Sequence, residues 1–155
     1  MSKALPVPHF QQSREGFCLP ACARMLLSYL GSERDEAGIA QILGTKTYGT
    51  PSSAIERLGG SRIEVVYQQW STAELSLMLE AENPLIAFVR TIFLGYYQED
   101  FAHALVVIES EPDQYFRVQD PAQSTGPTKV SWDGMLAAWA EFDYYGAVLR
   151  TWPKG

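Results

Sequence analysis

The chain has 155 residues, 46% of them hydrophobic and 19% charged, with a net charge of −6. That length suits one domain over residues 1–155, which would bury roughly two thirds of its unfolded surface. The acidic balance argues against a nucleic-acid or anionic-membrane surface, since both want a basic face. No stretch approaches the ~18 apolar residues of a membrane span. Met1–Pro8 lacks the apolar run of a signal peptide, so the expected compartment is the cytoplasm.

In chain order, residues 5–17 read as an extended segment and loop, with Pro6 and Pro8 restricting the residues before them. A helix follows from Cys18 to Leu30. Pro20 fits its first turn, Cys22, Met25, Leu26 and Tyr29 recur at helical spacing, and Gly31 stops it. A second helix is expected from Glu33 to Leu43, with Ile39, Ile42 and Leu43 as its apolar side. Gly49-Thr50-Pro51-Ser52 reads as a turn and helix start, with Thr50 as the cap. This short helix carries Ile55 and Leu58 and ends at Gly59-Gly60.

Beyond Gly60 the pattern shifts toward strands. Ile63–Tyr67 is a strand, and Ser71–Glu82 a helix opened by a capping box of Ser71 and Glu74. Pro84–Arg90 is a continuous apolar run suited to a buried strand. Residues 91–101 form a loop rich in aromatics and acids. Ala102–Ile108 and Gln114–Gln119 are strands joined by a turn of Glu, Ser, Pro and Asp. Ser131–Ala140 is a helix and Tyr144–Thr151 a last strand, with Trp132, Trp139, Tyr144 and Tyr145 as core. Helices first and antiparallel strands afterwards give an α+β class.

Chemistry enters at Cys18. A cysteine at a helix N-terminus meets unpaired N–H groups and the positive end of the dipole, which favour the thiolate. Gln12, six residues upstream, is a candidate oxyanion donor. Cys22 continues the apolar stripe and reads as core. Two cysteines four apart on one helix are poorly placed for a disulfide, so both are expected as free thiols.

The base is sought among two histidines. Centring the hairpin turn between Glu111 and Pro112 sets Ile108 opposite Tyr115, Leu105 opposite Val118 and His103 opposite Asp120. On that register His103, Leu105 and Val107 share a face with Asp120, Val118 and Phe116, and the His–Asp pair sits at the rim of the core. The other face, with Arg117 and Gln119, is expected to be wetter. A carboxylate fixes the tautomer of an imidazole and stabilises its charged form. His9 reads as a loop histidine. A zinc set of Cys18, Cys22, His9 and His103 matches no common finger spacing, and neither metal nor cofactor is expected.

With these residues in hand the chain resembles papain-like cysteine peptidases of the bacteriocin-leader-peptidase (double-glycine peptidase-like) type, in a stand-alone single-domain form. Such domains trim leader peptides at the cytosolic end of some peptide exporters. The motif is a glutamine, five residues, then Cys-Gly-x-Ala-Cys opening a helix that ends in Tyr-x-Gly. Gln12, Cys18, Ala21, Cys22, Tyr29 and Gly31 match it; Met25 also fits. Gly49-Thr50, His103 before an aliphatic strand, and Asp120-Pro121 match the later landmarks. The family's glycine after the nucleophile is Leu19 here, a bulky side chain that could narrow the cleft.

The resemblance implies a papain-like fold, an N-terminal helical half packed on a C-terminal antiparallel sheet. It implies Cys18 as nucleophile, His103 as general base and then acid, Asp120 as orienter, and the Gln12 amide with the Cys18 N–H as oxyanion hole. It also implies a peptide or protein substrate and docking to a transporter or partner protein. Two rivals share the fold: a binding module with a degenerate site, and a thiol acyltransferase or deamidase.

Overall fold

The structure, a computed structural model, describes residues 3–152, so residues 1–2 and 153–155 of the expected domain lie outside it. The first helix, α1, spans Cys18–Tyr29, and α2 spans Glu36–Leu43 with Asp35 capping it through the Gly38 N–H. A 3₁₀ helix, Ser52–Leu58, follows. Thr50 does not cap it: its hydroxyl pairs with that of Thr45, and Pro51 precedes the helix without a side-chain cap.

Strand β1 (Ile63–Gln69) leads into α3 (Thr72–Glu80), whose N-terminus carries the expected capping box of Ser71 and Glu74. Then come β2 (Leu85–Arg90), a short 3₁₀ turn (Thr91–Leu94), β3 (Ala102–Glu111) and β4 (Tyr115–Gln119). Strand β5 (Thr128–Ser131) was not legible in the sequence; it offers one buried apolar residue, Val130. Helix α4 (Trp132–Ala140), capped by Ser131, and β6 (Tyr145–Thr151) complete the chain.

The six strands form one antiparallel sheet in the order β1-β6-β2-β3-β4-β5. Its two faces have separate cores. Cys22, Met25 and Leu26 of α1, with Ile39, Leu43 and Ile55, pack on Ile86, Phe88, Ala104, Val106 and Ile108. Leu75 of α3 and Met135, Ala138 and Trp139 of α4 pack on Leu85, Val89, Leu105, Val107, Phe116 and Val118. Strands β2 and β3 are therefore buried on both sides, which is why they read as unbroken apolar runs. The face expected to be wet is covered at one end: Gln119 is buried and donates to the Val7 carbonyl at 3.0 Å, while Arg117 stays partly exposed.

The hairpin register also differs from expectation. Glu111 pairs with Tyr115, so the turn centres on Asp113, whose backbone is left-handed. A bulge between Val107 and Glu109 then takes up one residue, leaving Val107 opposite Val118 and Val106 opposite Gln119. The pairing is thus offset by two residues from the one drawn through Ile108 and Tyr115. An even offset keeps the same residues on the same face.

Candidate active site

Cys18 is the first residue of α1 and half-buried; Cys22, one turn on, is fully buried, and both thiols are free. Phe17 at the N-cap supplies no side-chain acceptor, so the first N–H groups of α1 face outward uncapped by any side chain. Burial pushes the Cys22 thiol well above the usual range, with the charges of Cys18 and Asp120 adding to it. Cys22 therefore stays a protonated core residue.

His103 is the second residue of β3 and is 5% exposed; Asp120 follows β4 and is 0% exposed. The His103 Nε2 donates to Asp120 Oδ1 at 2.7 Å. Because β3 and β4 are offset by two, the pair lies diagonally across the strands, one step from direct opposition. The bulge is what makes the meeting possible. Without it Asp120 would fall on the opposite face of β4 from His103.

The carboxylate is saturated with donors. Oδ1 also accepts the Ala122 N–H at 2.9 Å, and Oδ2 accepts the hydroxyls of Tyr96 at 2.7 Å and Tyr97 at 2.8 Å. Both tyrosines come from the aromatic loop that carried no role in the sequence reading. Their signal there was two adjacent tyrosines shortly before His103, which spacing alone does not direct at a carboxylate. Burial, then the Asp120 charge, raises both hydroxyls far above the tyrosine range, so they remain donors.

Burial by itself would raise Asp120, but the hydrogen bond and charge of His103 and the bonds from Tyr96 and Ala122 outweigh it and hold the carboxyl below its usual value. For His103 burial disfavours the charge. The Asp120 bond, the Cys18 side chain and the charges of both then prevail and push the ring up to about 9. With Nε2 committed to Asp120, Nδ1 is the nitrogen left for Cys18.

Gln12, Cys18 and His103 line one cleft of about 1040 Å³, along with Tyr97, Phe101 and the Thr47–Ser52 turn. The Gln12 Nε2 donates one hydrogen to the Arg14 carbonyl at 2.9 Å, and the amide nitrogen carries a second. Its backbone N–H donates to the Pro121 carbonyl at 2.7 Å, tying the glutamine loop to the segment after Asp120. His9 is part-buried, and its Nε2 bonds the backbone carbonyl oxygen of Asp120 at 2.8 Å. Leu19 is 2% exposed; it packs into the core of the α1 face and also lines the cleft. Among the described residues, no three His, Cys, Asp or Glu side chains converge as metal ligands would.

Residues 4–147 match the Peptidase_C39 like family. No curated protein matches the chain. Among solved structures, one described as a C39-like peptidase from Bacillus anthracis superposes with a TM-score of 0.79 at 16% identity, covering 99% of this chain and 100% of that one. The peptidase domain of Streptococcus ComA, a bifunctional ABC transporter of a quorum-sensing pathway, has a TM-score of 0.69 at 20% identity over 94% of this chain and 97% of its own. A double-glycine-motif protease from an AMS/PCAT transporter, solved with its leader peptide, has a TM-score of 0.60 at 19% identity, with 97% and 94% covered. At these identities the neighbours carry the fold alone: mixed helix and antiparallel sheet. With the family match over nearly its whole length, the chain belongs to the peptidase C39-like family.

Proposed function

We propose that this chain is a thiol peptidase that cleaves a peptide or amide bond, with Cys18 as nucleophile, His103 as base and acid, and Asp120 as orienter. The observation that carries the reading is the buried 2.7 Å His103–Asp120 bond, opening on the same cleft as a half-buried cysteine at a helix start. Family membership supports peptidase chemistry in general.

In this reading the Cys18 thiol gives its proton to Nδ1 of His103, whose raised affinity holds it, and the sulfur attacks the carbonyl carbon. The C=O electrons move to oxygen. The Cys18 N–H and the second Gln12 amide hydrogen stabilise that oxyanion. Collapse returns the electrons, breaks the C–N bond and passes the His103 proton to the leaving amine. Water, deprotonated by the neutral ring, then hydrolyses the thioester and restores the thiol.

The substrate in this proposal is a peptide, as the leader peptide bound to one structural neighbour suggests, and docking to a transporter or partner remains part of it. Two free thiols fit a reducing compartment such as the cytoplasm, and no described helix is long and apolar enough to cross a membrane.

The test compares Cys18→Ala with Cys22→Ala, using iodoacetamide and E-64 near neutral pH with mass spectrometry of the adduct. Labelling and any peptide turnover are expected to vanish in Cys18→Ala and persist in Cys22→Ala. Equal labelling of the two cysteines, or turnover surviving in Cys18→Ala, would sink the proposal.

A further inference from the structure

A second cleft, of about 390 Å³, shares no lining residue with the first. Arg34, before α2, Arg57, near the end of the 3₁₀ helix, and Arg62, before β1, line it together with Gly59, Gly60 and Ser61. The charged side-chain ion pairs among the described residues use Arg90, Arg117 and Arg150, and none of these three. Three arginines and no acidic residue line this one small cleft, on a chain whose net charge is −6. Like charges so placed repel, and an arrangement of this kind is relieved by an anion.

Parts of the cleft are built. Arg57 Nη1 donates to the Leu43 carbonyl at 2.9 Å, at the end of α2. The next residue, Gly44, has a left-handed backbone, and a Cβ there would stand 2.7 Å from the same Nη1. The glycine therefore keeps room for the guanidinium, which has four further N–H groups to offer. The Gly60–Arg62 loop is pinned to the end of β6. The Trp152 ring donates to the Gly60 carbonyl at 2.6 Å, and its backbone N–H to the Arg62 carbonyl at 3.2 Å. Gly59 and Gly60 leave the backbone bare where a ligand would approach.

We propose that this arginine cleft binds a small phosphate-bearing anion. A flat carboxylate is met by a single guanidinium fork. A tetrahedral polyanion presents oxygens in several directions, which suits donors arriving from three different elements. The 3₁₀ helix joins the two clefts, with Pro51 and Ser52 on the first and Arg57 and Leu58 on the second.

The experiment titrates the full chain with inorganic pyrophosphate at low ionic strength by calorimetry, with thermal unfolding alongside. One saturable site per chain is expected, with a raised Tm and weakening on added salt. Arg34→Gln and Arg62→Gln, both at exposed positions, should each weaken binding about tenfold or more. Arg90→Gln and Cys18→Ala should bind as the parent chain does, which separates this site from the peptidase reading. Absence of saturable binding, equal loss in Arg90→Gln, or succinate binding as tightly as pyrophosphate would overturn it. Circular dichroism of each variant guards against misfolding, and Arg34→Gln, on an exposed loop, carries the test alone if Arg62→Gln does not fold.

Discussion

Asp120 concentrates the energetics of the site at the scale of single residues. A fully buried carboxylate is costly unless its lone pairs are met, and here four donors meet them. Tyr96→Phe or Tyr97→Phe removes one donor and little volume. Each is expected to lower stability by about 1.5–3 kcal/mol, the range for a hydrogen bond to a charged group. The double variant should lose more than the two together, because Oδ2 then has no partner. Chemical denaturation of the three variants checks this. Three losses all under ~0.5 kcal/mol would mean the hydroxyls do not hold the carboxylate.

The same pair makes stability depend on pH in both directions. His103 rises from 6.5 to about 9 on folding, so its contribution is complete below 6.5 and is lost as pH rises through about 9. Asp120 is held below its ordinary 3.8, so its contribution is complete above that value and is lost as pH falls through the folded one. Stability should therefore be highest between roughly 4 and 6.5 and decline on both sides. The alkaline decline amounts to about 3 kcal/mol at most. Melting curves of the parent chain and His103→Gln across pH test it: the alkaline decline should shrink in the variant. Identical profiles would show that His103 gains no proton affinity on folding.

Among elements, the loop before α1 and the Thr47–Ser52 turn must stay in register for the cleft to keep its shape. Gly16 is their contact point. It has φ +83, and a Cβ there would lie 2.5 Å from the Thr47 carbonyl oxygen and 3.0 Å from the Gly49 nitrogen. Gly16→Ala is expected to cost about 1–3 kcal/mol. By displacing the loop that carries Gln12 toward Cys18, it should also slow E-64 inactivation about tenfold or more. Gly60→Ala, with open space and no positive φ, should leave the inactivation rate unchanged. Equal rates in both variants would show that the two loops do not depend on each other.

Most elements were legible because their signals are local: the capping box at Ser71, the helical spacing of Ile39 and Leu43 in the helix expected over Glu33–Leu43, the apolar run of β2. The His103–Asp120 juxtaposition was legible by parity, although the register drawn for it was wrong. A left-handed Asp113 and a bulge after Val107 are backbone choices that composition does not announce, and their two shifts left parity intact. What escaped was non-local. Tyr96 and Tyr97 acquire their role only when the loop folds back on Asp120, and β5 has too few apolar residues to declare itself.

For the molecule as a whole, the site depends on parts from distant stretches staying together. Cys18 rides on α1, which packs on one face of the sheet, while α3 and α4 pack on the other. The N-terminal segment straps across them: the Leu5 N–H reaches the Ile108 carbonyl, the Gln119 amide the Val7 carbonyl, and the Gln12 N–H the Pro121 carbonyl. Because β2 and β3 contribute side chains to both cores, neither core can come apart without exposing the other side of the same strands. Unfolding is therefore expected in a single transition. In a Trp152→Phe background two probes report on opposite layers: tryptophan fluorescence on Trp70, Trp132 and Trp139, and alkylation of Cys22 on the α1 layer. In denaturant the two curves should share a midpoint and slope. Cys22 becoming reactive well before fluorescence changes would mean that α1 detaches alone. The proposed nucleophile, Cys18, would then be mounted on a separable lid and not on the sheet that holds His103.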